Sequence, residues 1–221
     1  MRQGRGFVGR WAFGLLAVLA IAAVGAPAVE AKDGKLKAKI SRNKQGIPTI
    51  EAKDYKSLGF GYGYAFAEDN LCTIADTYLT SNAERSKWFG PDAETPEGYT
   101  NLESDLFYQR IKDRGTVEDV FLTGPDRAKA KVRKAVKGYV KGYNKYLKKT
   151  GVDNIPDSRC AGQPWVRPID EMDVYQRFYE LLLYASGGVA IDGIANAQPP
   201  AAAPRPQVRA DAAEAKQVTK T

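Results

Sequence analysis

Residues 58–67 read Leu-Gly-Phe-Gly-Tyr-Gly-Tyr-Ala-Phe-Ala, without one charged side chain. Such a stretch is stable only when it is buried on most sides. Gly59, Gly61 and Gly63 allow another backbone to come close. Each also costs about 1 kcal/mol of helix propensity relative to Ala, so packing has to hold a helix here. A dinucleotide fingerprint needs G-x-G-x-x-G between a strand and a helix. Here the third glycine falls one residue early and polar residues precede the run, which favours a close-packed helix.

Around this segment the pattern gives an α+β chain that is mostly helical. Leu36, Ala38 and Ile40 alternate with Lys35, Lys37 and Lys39, the period of a half-buried strand. Turn residues at 43–46 lead to a second short strand over 47–52, which Pro48 confines to an edge or a strand start. The two predict an N-terminal β-hairpin, preceded by a turn at Lys32-Asp33-Gly34. Asp54 or Ser57 can cap a helix over 57–89, which Gly90-Pro91 stops. Residues 91–100 read as a loop, and 101–114 as a short helix with Leu102, Leu106 and Ile111 inward. The clearest helix opens at Gly124-Pro125-Asp126 and runs to about residue 149. Val132, Val136, Tyr139, Val140, Tyr143 and Leu147 form its apolar stripe. Asp170 caps a last helix over 171–186, broken by Gly187-Gly188.

The N-terminus reads as an export signal. Arg2, Arg5 and Arg10 precede an apolar run over 11–24, and small residues offer cleavage after Ala26-Pro27-Ala28 or after Val29-Glu30-Ala31. The run is shorter than the ~20 residues of a spanning helix, so cleavage is expected rather than a stable membrane anchor. The absence of an Arg-Arg pair favours the general secretory route. The expected product is secreted or periplasmic. From residue 198 the chain turns Pro- and Ala-rich, which reads as a spacer or disordered tail. The expected division is a signal peptide at 1–31, one domain at 32–197 and a tail at 198–221. An oxidising compartment would let Cys72 and Cys160, the only two cysteines, form a disulfide.

Chemistry is limited first by an absence: the 221 residues contain no histidine. Ser-His-Asp and Cys-His machinery within this chain is thereby excluded. So are histidine-containing zinc sites, and two cysteines cannot build a Cys₄ site. Thirty-three Lys and Arg stand against 26 Asp and Glu, a charge of +7 that falls to +5 without residues 1–31. Lys134, Lys137, Lys141 and Lys145 lie beside Tyr139 and Tyr143. They read as a solvated face opposite an apolar stripe, and no nucleic-acid partner is expected. Glu68 and Asp69 interrupt the apolar run. A general acid and base is one reading; a structural polar network with Arg85 is the favoured one. Ser186 lacks a G-x-S-x-G context and is not read as a nucleophile.

Four segments in order carry a resemblance. They are Ile40-Ser41-Arg42 through Gly46-Ile47-Pro48-Thr49-Ile50, then residues 57–72, then Glu84-Arg85-Ser86-Lys87-Trp88-Phe89-Gly90, then Gly162-Gln163-Pro164-Trp165-Val166-Arg167-Pro168. Over about residues 36–197 the chain resembles the α-subunit region of the penicillin acylase family of N-terminal-nucleophile (Ntn) hydrolases. It looks nearest to the acyl-homoserine lactone and cyclic-lipopeptide (aculeacin-type) acylases. Thr49 departs from the pattern, since relatives often have His there.

The resemblance implies a precursor of signal, α segment, spacer and β segment that cuts itself, so that a serine becomes the β N-terminus. That serine attacks the amide with its own α-amino group as base, and an α-amine of pKa about 8 needs no histidine. The resemblance places no catalytic residue in this chain. It completes an αββα Ntn-hydrolase fold only with the β segment. The implied partners are a β subunit with an N-terminal Ser and an acylated small molecule. The last helix would line the acyl pocket through Leu182, Leu183 and Ser186, with core packing as the alternative at each. No cofactor is implied; calcium is allowed, with no ligands assigned. The implied function is amide cleavage of acyl-homoserine lactones, lipopeptides or penicillins, with this chain inactive alone. A non-catalytic secreted binding or accessory module, or a truncated inactive remnant, is the alternative.

Overall fold

The structure, a computed structural model, describes residues 28–184 and 186–199. Most of the expected signal peptide and nearly all of the tail lie outside the described residues. Strands β1 (Val29–Asp33), β2 (Leu36–Arg42) and β3 (Pro48–Ala52) form an antiparallel meander in the order β1-β2-β3. The register pairs Val29 with Ile40, Ala31 with Ala38, and Ile40 with Ile50. The alternation read for β2 holds: Ala38 and Ile40 are buried, Lys37 and Lys39 exposed. The expected hairpin is therefore two strands of a three-stranded sheet. Residues 29–33 hold a single bulky apolar side chain, so only pairing with β2 reveals them as a strand. The turn falls at Gly34-Lys35 instead, with Gly34 at φ +56°.

Helix α1 (Tyr55–Ser81) starts at Asp54, whose carboxylate accepts from the N–H groups of Lys56 and Ser57 at 2.9 Å each. It stops eight residues short of the expected end. Asn82 caps it, and Ala83 sits at φ +59°, a left-handed conformation that no helix continues through. Residues Arg85–Phe89 form a separate helix, α2. Within α1 the backbone leaves helical geometry at Asn70 (φ −140°, ψ 29°), directly after Glu68 and Asp69.

Helix α3 (Asn101–Asp113) opens on a capping box between Thr100 and Glu103. Leu102 and Leu106, expected inward, are 46% and 53% exposed. The buried face of α3 is Asn101, Ser104 and Tyr108, because α3 lies against α2 through polar contacts with Arg85. Ile111 does pack on the core. A short α4 (Thr116–Glu118) runs into a π-helical turn at Asp119–Thr123. The basic helix α5 (Ala130–Thr150) therefore begins later than Gly124-Pro125-Asp126 suggested, and its first stripe residue, Val132, is exposed. Gly151, at φ +75°, ends it as expected.

The glycine run explains the centre of the fold. Gly59 and Gly63 of α1 face the Ala135 and Tyr139 carbonyls of α5. Reciprocally, Gly138 and Gly142 of α5 face the Lys56 and Phe60 carbonyls of α1. A Cβ at any of the four would overlap backbone of the other helix. Gly61 points the other way, onto Ala38 and Ile50 of the sheet. So one short run touches both layers. Tyr143, fully buried, meets Tyr78 edge-on with ring centroids 6.0 Å apart.

Helix α6 (Glu171–Leu183) starts on the expected Asp170 cap, reinforced by Asp173. It ends at Leu183, before residue 186; a 3₁₀ turn (Gly187–Ala190) and α7 (Ile191–Ala195) follow. Cys72 and Cys160 form the disulfide, with Cα atoms 5.4 Å apart, tying α1 to the loop before α6.

Candidate functional site

Helices α1, α5 and α6 leave an apolar groove of about 370 Å³ between them. Tyr62, Phe66, Tyr139, Phe178 and Leu181 form its walls, over a buried floor of Ile74, Tyr78, Val136 and Val174. Tyr62 stacks on Phe66 with centroids 5.5 Å apart. The polar groups are few. The Tyr78 and Tyr139 hydroxyls lie 3.5 Å apart. Burial raises the pKa of Tyr78 and pushes Tyr139 up to about 12, so both stay neutral. Among the described residues Arg177 is the one charged side chain lining the groove, and it pairs with Glu180. Burial raises the Glu180 pKa against the pull of Arg177, and its Oε2 is buried without a hydrogen-bond partner. A groove of this kind takes an apolar chain, each buried CH₂ contributing about 0.8 kcal/mol.

None of the three residues expected at an acyl pocket lines this groove. Leu182 is 63% exposed, and Leu183 is half-buried. Ser186 is exposed, with its hydroxyl donating to the Leu182 and Leu183 carbonyls at 3.4 and 3.3 Å. The reason is helical rotation. The groove stripe of α6 is Val174, Phe178 and Leu181, spaced i, i+4, i+7, and the next residue turns away. That spacing, with the i, i+4 pair Tyr62 and Phe66, is the sequence signal that locates the groove.

The expected network of Glu68, Asp69 and Arg85 is split in two. Glu68 and Asp69 instead hold Arg42 of β2, at 2.8 and 2.9 Å. Arg85 is buried elsewhere and donates to Asn101 at 2.8 Å, Asp76 at 3.0 Å and Thr80 at 3.1 Å. Arg85 folds back along α1 only as far as Thr80 and Asp76, about two helical turns beyond Asp69. A third network surrounds Asp173, which accepts from Arg167 twice at 2.9 Å and from Asn82 at 2.7 Å.

These pairings bear on a cation. Glu68 and Asp69 share the single guanidinium of Arg42, while Glu180 pairs with Arg177 and Asp173 with Arg167. Among the described residues no group of three or more Asp, Glu, His or Cys is placed to hold a metal. On α5, Lys137 reaches Glu171 at 3.9 Å and Lys145 reaches Asp33 at 3.5 Å, while Lys134 and Lys141 face solvent. No helix among the described residues is long and apolar enough to cross a membrane.

Comparison with known proteins agrees with this architecture. The penicillin amidase family model matches residues 37–202, from β2 through α7. Aculeacin-A acylase of Actinoplanes utahensis is 42% identical over 197 residues, which cover 87% of this chain and 24% of that protein. Acyl-homoserine lactone acylase PvdQ of Pseudomonas putida KT2440 is 38% identical over 187 residues, covering 85% of this chain and 23% of that protein. The chain thus spans about a quarter of the length of the curated relatives it matches. A solved thermostable penicillin G acylase from Alcaligenes faecalis shares the fold, with a TM-score of 0.50 and 16% identity over 80% of this chain and 99% of that chain. With the glycine-packed helices α1 and α5 and the whole of α6 inside the matched span, the chain belongs to the penicillin amidase family.

Proposed function

We propose that this chain is the α-subunit portion of an exported amidohydrolase that removes acyl groups from N-acylated substrates such as acyl-homoserine lactones, lipopeptides or penicillins. The observation that carries the reading is the open apolar groove between α1, α5 and α6, in a family whose relatives are named as acylases. The groove would hold the acyl chain. The nucleophile would be the N-terminal serine of a β segment, with its α-amino group as base, which suits a chain without histidine. Leu181, Leu182, Tyr184, Val189 and Ile194 leave apolar surface exposed at the end of α6 and beyond it. The β segment would cover that surface. In this arrangement Leu182, Leu183 and Ser186 reach the acyl pocket only where the β segment closes it.

The test is hydrolysis of N-acyl-homoserine lactones of graded chain length by the processed protein and by this chain alone. Amine release by a complex with a Ser-led polypeptide, and none by the chain alone, is expected. Leu181→Trp is expected to shorten the preferred acyl chain. Hydrolysis by the chain alone, or by neither preparation on any N-acyl amide, overturns the reading; an unchanged length profile for Leu181→Trp removes the groove from it.

A further inference from the structure

Two leader cleavage sites are written in the sequence, after Ala28 and after Ala31, and small residues satisfy either. The fold separates them. The Ala31–Lys32 bond lies inside β1, whose residues pair with β2 along its whole length. Ala31 is 5% exposed and part of the main core. A cut there removes Val29, Glu30 and Ala31, three of the five register pairs. It leaves the backbone of β2 as an open edge beside Ala38 and Ile40, which are both buried. The two residues left, Lys32 and Asp33, are too few for a strand. The Ala28–Val29 bond lies immediately before the strand, at an exposed residue.

We propose that the exported chain is cut between Ala28 and Val29, so that the mature protein begins with β1. The proposal rests on the export reading above. Water adds across the Ala28–Val29 amide at a leader peptidase of the exporting cell. The released leader keeps the Ala28 carboxylate and the mature chain gains an ammonium on Val29. Val29 is 54% exposed, so the new charge stays in water.

Full-length protein expressed in an exporting bacterial host, followed by intact mass and N-terminal sequencing of the exported product, tests this. The expected N-terminus is Val-Glu-Ala-Lys-Asp. A product beginning Lys-Asp-Gly-Lys, or at any other residue, overturns the proposal while export stands. A product retaining Met1 and the leader inside the cell overturns both readings. Two variants separate the sites. Ala28→Arg, which removes the small residue at the proposed bond, is expected to abolish processing. Val29→Arg, which spoils only the second site, is expected to leave it intact; the opposite pattern overturns the proposal.

Discussion

Asp173 is 4% exposed and joins Arg167, Asn82 and the N-terminus of its own helix. Burial alone pushes its pKa up. Hydrogen bonds from Arg167, the Asp170 N–H and Asn82 outweigh that, and the net shift is down. A depressed folded pKa means that the stabilisation is complete above the unfolded value of about 4 and is lost as pH falls through the folded one. Glu180 runs the other way. Its raised pKa makes the ionised form oppose folding, a penalty relieved as pH falls toward the ordinary carboxylate range. Asp173→Asn is expected to destabilise the processed protein by about 2–4 kcal/mol at pH 7 and by less near pH 3, where the unfolded carboxylate is protonated. Urea unfolding at the two pH values checks this, and an equal loss at both would remove the carboxylate charge from the account. The Asp170 cap was legible in the sequence because capping is local. Asn82 comes from 91 residues away, and no local pattern announces it.

At the scale of elements, α1 and α5 interlock through two glycine pairs, Gly59 with Gly63 and Gly138 with Gly142. Gly142→Ala gains about 1 kcal/mol of helix propensity. It also drives a methyl into the Phe60 carbonyl, so the helices must part. Overpacking of this kind costs about 1–3 kcal/mol or more, and a net loss of about 2 kcal/mol is expected from denaturant unfolding. Gly193→Ala, in α7 with nothing within 4 Å of the added carbon, is the control and is expected to be neutral or stabilising. The α1 glycines announced a close approach because they interrupt an apolar run. The α5 pair sits in an amphipathic pattern that reads equally well without it. For the same reason α3 was turned the wrong way: Leu102 and Leu106 fit an inward stripe until Arg85 claims the face that carries Asn101.

At the scale of the whole molecule, the exposed apolar end of α6 and the open groove are the surfaces that the proposed β segment would cover. Backbone amides of residues 178–184 are expected to exchange slowly with deuterium in the processed complex, since contact with that segment removes water from them. Fast exchange there would show that the end of α6 stays in solvent and would detach it from the proposed interface. By itself the sequence determined the helical α+β class, the family, the caps at Asp54 and Asp170, and the exclusion of histidine chemistry. The class, the caps and the exclusion depend on residue type or on spacing within a few turns of chain, and the family rests on a resemblance carried by four segments in order. Only the tertiary structure decided the third strand, the partners of Arg42 and Arg85, and the groove. Each depends on which face of one element meets another across tens of residues, and helix rotation or sheet pairing sets that face only when the layers pack.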